Sequence, residues 1–313
     1  MSDHKLITHL RHVGFAMPQL DEQRDFYSRR WGLTEVSAHD GVHYFAAEGS
    51  PEPFVIRLRK DAKKRADVVS FGTATRAHVD ALARQLSERG VRIIDPPHEL
   101  TTPGGGYGVR FFDLDGRTVE VSADVKPRAH RDLEPGESIP VRLSHCVFNS
   151  PTPEATKDWY EQVLGFQTVE TLFIHGNTLL WFMRCASAQH HVLAIARAPH
   201  VSIHHVSFDM RGIDEHLRGV GRLQRAEVKL LWGPGRHASG DNAFGYFFDA
   251  AGNCVEYTAG MSDLPSDWQP IAGDLTDPMV LDSWGTAKAE WGEHVVAAQF
   301  NTPDEGLFVA PPR

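Results

Sequence analysis

An apolar run at residues 7–17 (ITHLRHVGFAM) returns in kind at 141–149 (VRLSHCVFN), and each is rich enough in β-branched and aromatic side chains to predict a strand. A helix is predicted after each strand. Leu20-Asp21-Glu22-Gln23 opens the first, and Thr152-Pro153-Glu154 opens the second with a capping hydroxyl, a proline in the first turn and a carboxylate beside it. Trp159 and Val163, four apart, share one helix face, which predicts that this face lies on a sheet. Gly32 and Gly165 close the two helices as C-terminal glycines do. In the second half, short strands follow at 167–174, 178–184 and 190–196. The pattern then restarts with a strand at 203–210, a helix near 212–224 and strands near 226–232, 243–249 and 253–259. Each half reads as two βαβββ units, which makes an α+β chain of four repeats in two modules.

The two halves are copies. Leu-Arg-His12-Val-Gly-Phe matches Leu-Ser-His145-Cys-Val-Phe, Phe26-Tyr27 matches Trp159-Tyr160, and Gly32-Leu33 matches Gly165-Phe166, all at one offset. After a small shift, Phe111-Phe112-Asp113, Gly116 and Val119-Glu120 match Phe247-Phe248-Asp249, Gly252 and Val255-Glu256. A repeat of this length is a duplicated module and too long for a solenoid unit. The polar, Pro- and Gly-bearing stretch near 125–140 reads as a linker. It divides the chain into a module at 1–130, a second at 131–262 and a tail at 263–313. Tryptophans 268, 284 and 291 of the tail need burial, so the tail is expected to pack on the second module or a neighbouring subunit.

Composition narrows the class. A net charge of −9 over 313 residues argues against nucleic acid or an anionic membrane as the main partner. Cys146, Cys185 and Cys254 form no CxxC pair and read as free thiols, as in a reducing cytoplasm. No run is long enough to span a bilayer, and the first residues lack a signal-peptide apolar region, so a cytoplasmic protein is expected.

Chemistry concentrates in the second copy. His145, His205 and Glu256 fall on three predicted strands. Two neutral imidazoles and one carboxylate hold a divalent ion on one face and leave the other open, the arrangement of non-heme Fe(II) sites; Mn(II) suits the same ligands. In the first copy Val68 stands where the second has His205, which leaves His12 and Glu120 without a third partner; the first module is expected to bind no metal. His190, His237 and Tyr246 lie between the outer ligands, while Thr101 and Arg110 align with His237 and Tyr246. His204 precedes a ligand on a strand and is expected to face away from it. The Gly104-Gly105-Gly106 run lacks the Lys-Ser/Thr of a phosphate loop and reads as a plain loop.

Gly235-Arg236-His237, Tyr246, Asp249-Ala250-Ala251-Gly252 and Glu256 together resemble the signature of the two-domain extradiol (meta-cleaving) catechol dioxygenases of the vicinal oxygen chelate superfamily. Gly245 and Ala250 depart from that signature, at positions of packing and backbone. The resemblance implies the glyoxalase/bleomycin resistance/dioxygenase fold and an inert first module. It also implies Fe(II) held by His145, His205 and Glu256, an acid–base histidine, and His237 and Tyr246 bonded to the bound catecholate. Of the neighbours His190 and His191, the fifteen-residue spacing to His205 favours His190 as that histidine. The expected reaction inserts both atoms of O2 into a substituted or biaryl catechol, in a homo-oligomer. The alternatives are a 4-hydroxyphenylpyruvate-type 2-oxo acid dioxygenase, and a metal-free binding protein on the same fold.

Overall fold

The computed structural model describes residues 6–287 and 301–312; Trp291 falls outside them. The first half runs β1 (Ile7–Met17), α1 (Leu20–Asp25, widening into a π-type turn at Phe26–Trp31), β2 (Thr34–His39), β3 (Val42–Ala46), β4 (Ile56–Lys60), β5 (Arg65–Thr73), α2 (Arg76–Glu88), β6 (Ile93–Glu99), β7 (Tyr107–Phe112) and β8 (Thr118–Ala123). The second runs β9 (Pro140–Ser150), α3 (Pro153–Leu164), β10 (Gln167–Ile174), β11 (Asn177–Arg184), β12 (Leu193–Arg197), β13 (Ser202–Met210), α4 (Ile213–Arg225), β14 (Leu230–Arg236), β15 (Ala243–Phe248) and β16 (Cys254–Ala259). β17 (Ile271–Asp274) and α5 (Pro278–Leu281) follow in the tail.

The strands form two sheets of one design. The first has the order β2-β3-β4-β1-β5-β8-β7-β6, and the second β14-β15-β16-β13-β9-β12-β11-β10-β17. In each, the opening strands of the two βαβββ units run antiparallel at the centre, β1 beside β5 and β9 beside β13. Each opening strand also has the last strand of its own unit as a parallel neighbour, β4, β8, β12 or β16. The second sheet gains β17 beside β10, a strand supplied by the tail.

The repeated residues hold the copies together. Tyr27 of α1's extension donates to the Asp249 carboxylate at 3.3 Å, and Tyr160 of α3 donates to Asp113 at 2.9 Å. Each module's helix thus binds the turn of the other, and hydrogen bonds to a charged acceptor contribute about 1.5–3 kcal/mol each. Trp31 packs across the same boundary on Tyr257 and Phe208, with ring centroids 4.0 and 5.4 Å apart. One buried apolar cluster therefore runs through both sheets.

Local departures have local causes. Thr152 occupies the N-cap of α3, but its side chain makes no capping bond. The strand expected at 190–196 starts only at Leu193, because the His190 N–H bonds to the Ser262 carbonyl outside the sheet. The strand expected at 226–232 starts at Leu230, because α4 is closed by the Val228 N–H on Leu223 and Glu227 adopts a left-handed φ of 62°. Gly32 and Gly165 do close their helices, at φ of 96° and 72°. All three cysteines are free and buried. No described helix is long and apolar enough to cross a membrane.

The tail crosses both modules. Trp268 donates its indole N–H to the Val169 carbonyl, while Trp284 keeps a stacking contact with Arg236. Beyond the undescribed stretch, Asp304 accepts from the Ala66 N–H and Phe308 packs on Phe112 of the first module.

Candidate metal centre

Register alone brings His145, His205 and Glu256 together. On the central strands, Ser207 of β13 is paired with His145 of β9 on one side and with Glu256 of β16 on the other. Directly paired residues share a face, and His205, two residues before Ser207, shares it too. The three side chains each offer a ligand atom within 4.8 Å of the others. Glu256 Oε2 lies 3.2 Å from His145 Nε2 and 3.5 Å from His205 Nε2, and the two Nε2 atoms lie 3.3 Å apart.

The donor set fits a divalent cation. Both Glu256 oxygens are sealed from solvent, and among the described residues the two imidazoles, and no Lys or Arg, pair with them. A buried carboxylate without a neutralising partner costs several kcal/mol, a penalty a bound dication removes. Burial, followed by the neighbouring His204, pushes His205 well below its ordinary pKa and keeps its imidazole neutral, as a metal ligand must be.

Above these three side chains lies a cavity. His191, His204, His237, Asn242 and Tyr246 stand near the ligands, and Leu172, Leu179, Leu180, Phe182, Ala196 and Val280 form its apolar part. Among the described residues no Lys or Arg lines it. Val280 and Leu281 of α5, with Leu275, make its roof from the tail. The roof also holds His237, whose Nδ1 donates to the Leu281 carbonyl at 2.8 Å while Nε2 meets the Tyr246 hydroxyl at 3.1 Å. Burial, then the Glu256 carboxylate, raises the Tyr246 hydroxyl well above its ordinary value.

The structure departs from two expectations about which side chains reach the cavity. Spacing to His205 favours His190 as the acid–base group, but His191 is the one that lines the cavity, with its ring 4.3 Å from that of His145. His190 points behind it, with Nε2 3.1 Å from the Glu170 carboxylate. Phe54 packs on His12 at 4.4 Å as His191 packs on His145, so Phe54 is the counterpart of the histidine that touches His145. The second correction concerns His204, which lines the cavity and does not face away. A bulge between Ile203 and His205 breaks the alternation of β13, and the His204 and His205 Nδ1 atoms lie 2.7 Å apart.

The first module repeats this geometry with a different set of side chains. Its His12 pairs with Ser70, as His145 does with Ser207, and Val68 occupies the place of His205. Arg110 sits where Tyr246 does, and its Nε donates to Glu120 at 2.7 Å. A fixed guanidinium thus neutralises the carboxylate. Opposite His237 the register puts Leu100, not Thr101: the His237 N–H bonds to Asn242 as the Leu100 N–H bonds to Gly106.

This pairing of duplicated sheets around a two-histidine, one-carboxylate cup is that of a known class. The chain belongs to the glyoxalase/bleomycin resistance protein/dioxygenase superfamily, which its sequence matches at residues 9–121 and 142–257. Among solved structures it is similar to the Mn(II)-bound glyoxalase from Novosphingobium aromaticivorans, with 36% identity, 97% of each chain covered and a TM-score of 0.89. Metapyrocatechase 2 of Cupriavidus necator is 25% identical over 90% of this chain and 89% of its own. Biphenyl-2,3-diol 1,2-dioxygenase of Paraburkholderia xenovorans LB400 is 22% identical over 86% of this chain and 93% of its own.

Proposed function

We propose that this protein is an extradiol ring-cleaving dioxygenase that takes a catechol with an apolar, aryl-sized substituent. The observation that carries the reading is the convergence of His145, His205 and Glu256 at the floor of a cavity whose remaining polar wall is His191, His237, Asn242 and Tyr246. The names of the metapyrocatechase and biphenyl-diol relatives support it. The second module would be the catalytic one, and the first its scaffold.

Fe(II) bound by the three ligands would supply the Lewis acidity that lowers the catechol pKa and the open positions at which diol and O2 meet. The protein's side chains do the rest. Tyr246 and His237 form a hydrogen-bonded pair that receives the catechol oxygen, and His237 is fixed by its bond to Leu281. His191, held neutral by burial, takes a catechol proton and returns it as the ring opens. Leu172, Leu180, Phe182 and Val280 hold the substituent and exclude water. Both oxygen atoms end in the ring-opened semialdehyde acid, so no reductant is consumed. The lack of a Lys or Arg in the described lining favours a neutral substituent over a carboxylated one.

The test is anaerobic loading with Fe(II), then O2-electrode and absorbance readings on catechol, 3-methylcatechol, 2,3-dihydroxybiphenyl and a carboxylated catechol. Stoichiometric O2 uptake with a yellow product, fastest for the biaryl substrate, is expected. Iron binding without uptake on any catechol would end the reading. The Mn(II)-bound relative at 36% identity supports a second one, a glyoxalase-type lyase or isomerase. It would turn over a glutathione hemithioacetal with Mn(II) and without O2.

A further inference from the structure

Behind His191 runs a buried file of polar side chains that take no direct part in ring cleavage. Glu170, on β10, lies with Oε2 3.1 Å from His190 Nε2, and its Oε1 accepts from the Ser239 hydroxyl at 2.9 Å. His190 Nδ1 in turn lies 3.1 Å from His191 Nδ1. Glu170, His190 and His191 are all at least nine-tenths buried. Phe182 flanks the His190 ring at 5.9 Å, and the backbone at Gly240 runs close beside it, where a Cβ would come within 3.3 Å of its Nδ1.

The first module lacks all three members. In the first sheet Ser37 pairs with Tyr44, Tyr44 with Arg57 and Arg57 with Gly14; in the second Glu170 pairs with Phe182, Phe182 with Ala194 and Ala194 with Val147. Gly14 and Val147 stand two residues after the matched histidines, so Ser37 occupies the place of Glu170. By the same register Pro53 and Phe54 stand for His190 and His191. The file is complete in one copy and wholly missing from the other, as expected of side chains that act as a unit.

We propose that Glu170 and His190 are positioning residues that hold His191 in one ring orientation and one tautomer. The logic is that of hydrogen-bond direction. Glu170, as a carboxylate, only accepts, so His190 carries its proton on Nε2 and presents a lone pair at Nδ1. That lone pair accepts from His191 Nδ1–H, which leaves the His191 Nε2 lone pair for the cavity. His191 therefore meets the substrate as a base. This role for His191 rests on the dioxygenase reading; the orientation of its ring does not.

A double-mutant cycle on Fe(II)-loaded protein with 2,3-dihydroxybiphenyl tests the role. Long-range proton–nitrogen spectra of metal-free protein labelled with 15N-histidine test the orientation. His190→Phe is expected to lower kcat about ten- to a hundredfold, as loss of an outer partner does, with KM and bound iron unchanged. It should cost nothing more in a His191→Asn background. Glu170→Gln, which keeps the shape and surrenders one acceptor, should lower kcat less and serves if His190→Phe does not fold. In the spectra, the ring missing from His191→Asn should be protonated on Nδ1 in wild type and lose that single state in both variants. Multiplicative losses in the double variant, or an unchanged His191 tautomer in the single variants, would overturn the proposal. No O2 uptake by wild type would sink the dioxygenase reading, and the spectra would still decide the positioning.

Discussion

At the scale of single residues, the two copies form a natural substitution experiment. Glu256 and Glu120 occupy the same register position, one beside two imidazoles and the other beside the Arg110 guanidinium. The carboxylates should respond oppositely to loss of their partners. Glu256→Ala removes an uncompensated charge along with a ligand, so the fold should survive while metal affinity falls by about a hundredfold or more. Circular dichroism and metal content measured on dialysed protein check both halves. Arg110→Met strands Glu120, whose pKa Arg110 and His12 hold down at about 2 against the cost of burial. Breaking a buried pair from one side costs about 3–5 kcal/mol, and a denaturation midpoint unchanged from wild type would refute the internal-cation account. The convergence of His145, His205 and Glu256 was legible in the sequence because the copies differ at Val68 and His205. The choice between His190 and His191 was not, because spacing along an irregular segment does not report which ring faces the sheet. The packing of Phe54 on His12 and of His191 on His145 shows which ring does.

At the scale of elements, the sequence pattern placed nearly every strand of the second module and missed the function of the tail. Periodicity reports which face of a strand is buried, and it reported this well for β9, β13 and β16. It says nothing about a four-residue strand such as β17, which is defined by its pairing with β10. Nor does it reach the bulge in β13, which depends on β9 as partner. The consequence is functional, because β17 and α5 carry the cavity roof. Val280→Phe should fill part of the apolar compartment without touching the ligands. Steady-state kinetics should show KM for 2,3-dihydroxybiphenyl raised about tenfold, the effect of roughly 1.4 kcal/mol of lost fit, with KM for unsubstituted catechol nearly unchanged. Equal effects on both substrates would show that the substituent lies elsewhere.

At the scale of the whole molecule, duplication gave this protein one cup with a candidate metal site and one structural cup, and the second should set its tolerance of acid. His12 is sealed inside the first sheet with neither ring nitrogen bonded among the described residues, and burial above all lowers its pKa to about 3. The sign follows from proton counting. Between pH 6.5 and 3 the unfolded chain binds a proton at His12 that the folded chain refuses, so its full stability stands above pH 6.5 and declines as pH falls toward 3. Glu120 acts in the same direction in a lower window: its folded pKa of about 2 lies below the ordinary 4.5, so its contribution is lost as pH falls from 4.5 toward 2. Each tenfold rise in proton concentration through the upper window costs about 1.4 kcal/mol, so His12 alone removes roughly 3 kcal/mol by about pH 4. Acid would also strip any metal held by the other cup, so a bare stability profile would mix two causes. His12→Phe separates them, because a ring that cannot be protonated keeps the packing against Phe54 and leaves the metal ligands intact. Urea unfolding of metal-free protein at about pH 7 and about pH 4 should show a smaller acid penalty for His12→Phe than for wild type. An equal penalty would mean that the structural cup is indifferent to protons, and that acid lability resides elsewhere.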